Sequence, residues 1–335
     1  MTAASTIQFT LRPTTLDDMP SALALANACS QESTDTDEFT IEDYRNSWGD
    51  RARDIATDTR IAETADGTIV GCVELWNNAP YVSCWIWGCV HPEFRGQGIG
   101  TALMDWAEDR ALVTLDRAPA GTRVVLEVST SSVHQPSIDL LSERGFCAVR
   151  HRASLLRELA GDLPAPVWPA GITVRTVQPG EELALYRAKN EAFRDHWGHL
   201  EAPEQDGFAL WQQRRLNDSN YDRSLWFLAT DGDEIAGFSL CQQRTSEDPA
   251  MGWVNSLGVR RPWRRRGLAE ALLYHSFGEL GRRGCARVGL DVDVGSLTGA
   301  AQLYEKAGMR AFGQTTRFQK ELRPGTDRAT QAIDN

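Results

Sequence analysis

Two stretches of this chain, VHPEFRGQGIGT at 90–101 and VRRPWRRRGLAE at 259–270, decide its architecture. Each closes an apolar run, turns through arginine and glycine, and enters a segment with helical spacing. After the first turn, Ile99, Ala102, Leu103, Trp106 and Ala107 fall at i, i+3, i+4, i+7 and i+8, the stripe of an amphipathic helix. The shared core is R-x-x-G-x-G/A: Arg95, Gly96, Gln97, Gly98, Ile99, Gly100 in one stretch and Arg264, Arg265, Arg266, Gly267, Leu268, Ala269 in the other. Between a strand and a helix this pattern is an anion cradle. Small residues let backbone N–H groups converge, and the helix start adds unpaired donors and partial positive charge. The dipole alone supplies only ~0.3–1 kcal/mol, so several N–H bonds must act together, and a diphosphate is the natural ligand. No Gly-Lys-Ser/Thr follows, which excludes a Walker loop, and the glycine spacing differs from the dinucleotide GxGxxG.

Working outward, the chain repeats itself. Gly98 and Gly267 are 169 positions apart, while Arg12 and Arg175, and Gly145 and Gly308, are 163 apart. Two half-chain units in the same order indicate duplication. Each unit reads as a short strand (7–12; 172–176), an amphipathic helix (16–28; 180–193) and a second helix (40–47; 205–216). A hairpin follows, turning at Asp66-Gly67 in one copy and Asp231-Gly232 in the other. Then come a fourth strand (81–90; 252–259), the glycine-rich turn and its helix, and a fifth strand (123–128; 287–293). A short helix ending at Gly145 or Gly308 and a last strand close each unit. The expected domains are 1–160 and 172–322, joined by a proline- and glycine-containing linker at 161–171 and followed by a polar, fraying tail at 323–335.

Composition narrows the class. A chain of 335 residues, 41% hydrophobic and 24% charged, can bury one core per unit. The net charge of −11 argues against nucleic-acid or anionic-membrane partners. Val82–Val90, the longest apolar run, reaches about half a membrane span. The seven cysteines show no CxxC pair and no Cys/His metal spacing, and the N-terminus lacks a signal-peptide pattern, so a cytoplasmic protein with reduced thiols and no metal is expected.

On these residues the chain resembles the GNAT superfamily of acetyl-CoA-dependent N-acyltransferases, over both halves. Its tandem layout is similar to that of two-domain actinobacterial acetyltransferases of the mycothiol-synthase type. The resemblance implies an α/β (α+β) fold: two tandem GNAT-like domains, each a twisted, mostly antiparallel mixed sheet with helices on both faces. It implies acetyl-CoA as donor. The backbone of Leu257, Gly258 and Val259 would receive the thioester and pantetheine, with Leu257 stabilising the oxyanion. The turn from Arg264 through Arg265, Arg266, Gly267 and Leu268 to Ala269 would hold the pyrophosphate. LYEKAGM at 303–309 resembles the helix carrying the family's tyrosine, so Tyr304 would protonate the leaving thiolate. In the first copy Val90, Arg95, Gly96, Gln97, Gly98, Ile99 and Gly100 form the matching cradle, but Leu141 stands opposite Tyr304, which assigns catalysis to the second unit.

Other positions stay open. Trp253 stands where many relatives carry a glutamate base; Asn255 could order a water instead. Phe193, His196 and Trp197 could wall the acceptor site or staple two helices. Asp291 and Asp293 share a strand face and could bind a cationic acceptor or pair with arginine. Tyr304 sits on an apolar stripe and by spacing alone reads as core. The expected activity is acetyl transfer to a primary amine of a small molecule by direct attack. A cysteinyl-sugar acceptor and a non-catalytic acyl-CoA sensor are the alternatives. The sequence leaves the oligomeric state open.

Overall fold

The structure, a computed structural model, describes residues 7–49, 54–216, 220–246, 248–295 and 299–330. In the first repeat the order is β1 (Phe9–Pro13), α1 (Met19–Thr34), α2 (Ile41–Trp48), α3 (Ile55–Asp58), β2 (Thr59–Thr64), β3 (Ile69–Asn77), β4 (Ser83–Val90), α4 (Ile99–Val113), β5 (Val124–Ser131), α5 (Gln135–Glu143) and β6 (Cys147–Glu158). The second repeat gives β7 (Ile172–Thr176), α6 (Glu182–Phe193), α7 (Glu204–Leu216), β8 (Trp226–Asp231), β9 (Glu234–Gln242), β10 (Met251–Val259), α8 (Leu268–Arg282), β11 (Arg287–Asp293), α9 (Ala300–Lys306) and β12 (Arg310–Arg323). Apart from the short α3, the elements fall where the repeat pattern places them.

The units do not coincide with the sequence halves. One takes the chain up to Val149 together with Thr316–Arg328; the other takes Arg150–Thr315 and the residues from Ala329. In the first unit the strand order is β1-β2-β3-β4-β5, with the Thr316–Arg323 part of β12 beside β5. In the second it is β7-β8-β9-β10-β11, with the Arg150–Glu158 part of β6 antiparallel to β11. Each repeat therefore closes the other's sheet, which corrects the expectation that each closes its own. The two closing strands are copies of one ancestral strand and present equivalent edges, so hydrophobic pattern does not specify which edge each joins.

Side-chain pairing settles the exchange. Glu127, on β5, is buried, accepts from Gln319 Nε2, and lies 3.8 Å from the Arg317 guanidinium. Arg317 in turn lies 4.4 Å over the Trp85 ring. The expected fraying tail is ordered as far as it is described. Arg323 donates to the carbonyls of Thr122 (3.0 Å) and Pro119 (2.7 Å), and Thr330 exchanges backbone bonds with Gly198 and His199. Its last five residues lie outside the described residues. Polar composition hid these partners because backbone carbonyls satisfy them.

In both units the helices cover opposite sheet faces. A Cβ on Gly71 would come within 2.8 Å of Ile99, and one on Gly237 within 3.1 Å of Leu272, so glycine on the third strand admits the helix that follows the cradle. On the other face α1 and α2 gather Tyr44 and Trp48, and α6 and α7 gather Tyr186, Trp211 and Phe238.

A fragment ending at residue 171 keeps the first repeat but loses β12. It leaves the β5 edge unpaired and Glu127 buried without partners, a loss of about 3–5 kcal/mol. Urea titration is expected to show no cooperative transition for it. A chain joining 1–149 to 316–328 through a short flexible linker is expected to unfold cooperatively. Full cooperative stability of the 1–171 fragment would show that the exchanged strand is dispensable.

Candidate active site

β10 runs antiparallel to β9 along one side and parallel to β11 along the other. The parallel pairing covers only Met251, Gly252 and Trp253, matched to Arg287, Val288 and Gly289. Beyond Trp253 the strands part, and β10 continues through Val259 with no strand paired to that side among the described residues. The backbone bond from Arg260 N to Ala236 O makes Val259 and Gly237 a pair that does not hydrogen-bond to each other. By alternation Leu257, opposite Ser239, is another. The N–H and C=O of Leu257 and Val259 therefore face away from β9 into the wedge. An extended ligand can add there as a strand does.

A β-bulge between Val254 and Ser256 makes Asn255 the extra residue. Asn255 Nδ2 donates to Gln242 Oε1 at 2.9 Å, and both line a cavity with Arg215, Tyr221, Leu240 and Ser256. Bulges re-aim side chains beside active sites. In the first unit β4 pairs with β3 without interruption from Cys84 to Val90, so it lacks this device.

The turn after β10 is a true cradle. Gly267 caps α8 at φ 82°, and a Cβ on it would meet nothing within 4 Å. Arg265 takes φ 59°, where the first unit has Gly96 at 74°. A non-glycine residue held at positive φ is strain of the kind that collects at binding loops. Arg264 has a different task from the expected one. Its Nε donates to Val259 O (3.1 Å), and its terminal nitrogens bond Asp195 (2.7 Å) and Ala192 O (2.9 Å). Arg261 also pairs with Asp195, and Arg260 with Glu191 at 2.7 Å. These three arginines fasten the turn to the end of α6. Arg265 and Arg266 are exposed and pair with no carboxylate among the described residues; Arg266 donates to Ala170 O at 3.3 Å.

Tyr304 lies on α9, is 8% exposed, and packs with the apolar core of its unit. Its hydroxyl makes no hydrogen bond to any described residue. Burial pushes it up to about 12, so it stays a protonated donor at neutral pH. Its counterpart Leu141 is buried and has no proton to give. Trp253 lies against Gly289, where a Cβ would sit 2.3 Å from the indole. No carboxylate occupies this position.

The acceptor-side candidates are partly gathered. The ring centroids of Phe193 and His196 lie 4.7 Å apart, edge to face. Burial lowers the His196 pKa against the pull of Asp293, which keeps the imidazole neutral near pH 7. Arg150 lies 5.3 Å over the Trp197 ring and 3.2 Å from Asp293, joining these two candidates. Asp291 instead accepts from Ser154 Oγ at 2.7 Å and faces Arg152 at 3.7 Å. Both aspartates therefore meet arginines of β6, the pairing alternative, and neither is a free carboxylate.

Sequence reasoning missed Asp195, Gln242, Lys189 and the β6 residues. Asp195 had a readable signal, an acid facing an arginine run across the fold. Arg150 had none, because it lies in the other repeat. Burial, with Arg215 repelling, pushes Lys189 down to about 8, and its Nζ lies 5.4 Å over the Phe193 ring.

In the first unit the cradle keeps its shape, with Gly98 at φ 82° and open space above it. Arg95 donates to Val90 O at 3.3 Å and pairs with Glu32, repeating the fastening role of Arg264. Gln97 Oε1 accepts from Ile7 N at 3.1 Å.

Known proteins resemble this chain over both repeats. The acetyltransferase (GNAT) family model matches residues 23–146 and 183–309. A mycothiol acetyltransferase of Streptomyces bingchenggensis is 30% identical over 266 residues, covering 78% of this chain and 80% of that protein. One of Thermobispora bispora is 33% identical over 226 residues, 65% of this chain and 70% of that protein. A GCN5-related N-acetyltransferase from Sphaerobacter thermophilus superposes with a TM-score of 0.76 at 34% identity, over 95% of this chain and 97% of that one. With both repeats matched and the donor wedge and cradle in place, this chain belongs to the GNAT family of acetyltransferases, and acetyl-CoA is its acyl donor.

Proposed function

We propose that the second unit transfers the acetyl group of acetyl-CoA to a primary amine of a small molecule by direct attack. The observation that carries this is the coincidence, in that unit alone, of the β10 bulge, the wedge facing Leu257 N–H, and Tyr304. Leu257 N–H donates to the carbonyl oxygen as negative charge grows there, and a fixed backbone donor needs no reorganisation. Val259 lines up the pantetheine arm. The N–H groups from Arg265 to Ala269 take the pyrophosphate, with the Arg265 and Arg266 side chains over it. Tyr304 donates a hydrogen bond to the departing sulfur. Asn255, fixed by Gln242, orders a water that receives the amine proton, and no cysteine takes part. The domain limits proposed for this activity follow the compact units, so β6 of the first repeat belongs to the catalytic unit.

A second reading is favoured by the named relatives, several of which are mycothiol acetyltransferases. In it the acceptor is the amine of a cysteinyl sugar. Thiol release measured with such a sugar and with a panel of simple primary amines separates the two readings. Turnover confined to the sugar selects the second; comparable turnover across the panel selects the first.

Gly267→Glu sets a carboxylate in the open cradle of the second unit. Calorimetric titration is expected to lose one acetyl-CoA site, with turnover abolished. Its positive φ adds about 1–2 kcal/mol of strain, so an unfolding curve should accompany the titration. Unchanged binding and turnover would move catalysis elsewhere.

Tyr304→Phe is expected to lower kcat by roughly 10²–10⁴ while leaving acetyl-CoA affinity unchanged. The phenol is raised to about 12, so its acid form persists above the ordinary tyrosine range. The wild-type rate should show no descending limb below about pH 10, where an unperturbed tyrosine ionises. A limb that falls earlier and disappears in Tyr304→Phe would refute the burial argument.

A further inference from the structure

A cavity opens beside the bulge of β10, on the sheet face that α6 and α7 cover. Trp226 and Leu240 form its apolar wall. Around them stand Arg215, near the end of α7, with Asn220, Tyr221, Gln242, Asn255 and Ser256. Among the described residues no aspartate or glutamate lines it, in a chain whose net charge is −11. Three side-chain oxygens of the lining are already engaged as acceptors. Asn220 Oδ1 accepts from Arg244 Nε at 3.2 Å, Tyr221 Oη from Arg223 Nε at 3.1 Å, and Gln242 Oε1 from Asn255 Nδ2 at 2.9 Å. Arginine can only donate, so Tyr221 keeps its own proton to give. The cavity therefore offers an occupant donors: the Arg215 guanidinium, the Tyr221 phenol and the Ser256 hydroxyl.

A second cation belongs to the same face. Lys189, on α6, is half-buried and pairs with no carboxylate among the described residues. The charge of Arg215 reaches it and, after burial, helps push it down to about 8. Two like charges held together work against the fold, and an anion beside them offsets that. The first unit fills the matching corner differently. By register Leu240 and Ser256 correspond to Glu74 and Trp87. Glu74 is buried and accepts from Trp48 Nε1 at 2.8 Å, and Trp87 packs against the cluster that holds Trp48. The repeat thus folds with an acid and two indoles at this corner, so the donor-lined cavity of the second unit is not imposed by the fold.

We propose, on the footing of the acetyl transfer above, that the acceptor is an amino acid whose carboxylate is held in this cavity by Arg215, Tyr221 and Ser256. The spacing fits. Asn255 and Ser256 directly precede Leu257, and a strand advances about 3.3 Å per residue. The cavity therefore lies one to two residues from the N–H that meets the thioester carbonyl. In an α-amino acid one carbon bears both carboxylate and amine, so a carboxylate held there leaves the amine within reach of that carbonyl. A guanidinium grips a carboxylate through paired N–H donors, and Trp226 and Leu240 shield the pair from water. The carboxylate only anchors. The amine nitrogen forms the C–N bond, the C–S bond breaks, the thiolate takes the Tyr304 proton, and the amine proton passes to the water at Asn255.

The test measures thiol release from acetyl-CoA by the full chain, with the common L-amino acids as acceptors, each beside its own carboxamide. At least one amino acid should exceed its amide in kcat/KM by roughly 10–100-fold, the worth of a hydrogen-bonded charge. Arg215→Gln should lower kcat/KM for that acid far more than for its amide, through KM, and Arg215→Lys should keep part of the preference. Amides used as well as their acids by the wild type overturn the proposal, as does an Arg215→Gln effect equal on both. Preference for O-phosphoethanolamine over every amino acid also overturns it, giving the cavity to a phosphate. A binding arm separates this from failure of the transfer itself: N-acetyl amino acids and their amides are titrated calorimetrically onto the CoA-loaded protein. Absence of thiol release with every amine refutes the transfer. The carboxylate site then stands if the N-acetyl amino acids bind wild type and not Arg215→Gln, and falls if they do not.

Discussion

The point at which two parallel strands stop pairing governs this molecule. β10 and β11 share three pairs, and then β10 runs on alone through Val259. A strand that leaves its backbone donors unpaired inside a fold would carry a steep desolvation penalty. It survives because Arg264 Nε already donates to Val259 O, and an extended ligand can satisfy the N–H of Val259 and the N–H and C=O of Leu257. The bulge at Asn255 has the same logic. It lets β10 keep its ladder with β9 while changing its direction, so the last strand residues aim at the cradle.

Holding that wedge open is an electrostatic task as much as a packing one. The turn between β10 and α8 carries five arginines within seven residues, Arg260 to Arg266, which should repel. Asp195 answers two of them from the end of α6, with a side chain only 7% exposed, and is held down to about 2 by Arg261 and then Arg264. A carboxylate depressed below its usual value stabilises the fold above the ordinary carboxylate range. That contribution fades as pH falls through about 2. Glu191 answers a third. Arg265 and Arg266, exposed and paired with no carboxylate among the described residues, immediately precede Gly267. Neutralisation thus sorts one charge run into structural fasteners and exposed cations without a carboxylate partner among the described residues, and the sorting depends on acids some seventy residues away in sequence.

That separation explains what the sequence could and could not convey. Strand–turn–helix order, the repeat, the hairpins at Asp66-Gly67 and Asp231-Gly232, and the contrast of Tyr304 with Leu141 are local patterns, and they are readable. The role of Arg264 was not, because a motif fixes backbone geometry and leaves the direction of a long side chain to its neighbours. Asp291 and Asp293 were recognised as sharing a face, but their partners Ser154, Arg152 and Arg150 come from the other repeat. Strand exchange between repeats leaves no mark in hydrophobic periodicity, because alternation along a strand fixes its buried face and not its neighbour. The bulge was equally silent: Asn255 fits an unbroken strand pattern, and only the register against β9 reveals the additional residue.

The two repeats show how duplication relaxes constraint one site at a time. The first keeps the positive-φ glycines and even the arginine-to-carbonyl fastener, which are needed for the turn to fold at all. It has neither the bulge nor the phenol, the two features given a part in the proposed reaction. Cradle geometry is therefore the common property of the repeat, while the strand irregularity belongs to the second copy alone among the described residues. A glycine-rich turn alone is evidence for a fold and an anion. Under the proposed assignment, the bulge in β10 and the phenol of Tyr304, both missing from the first copy, are what set the catalytic unit apart from its copy.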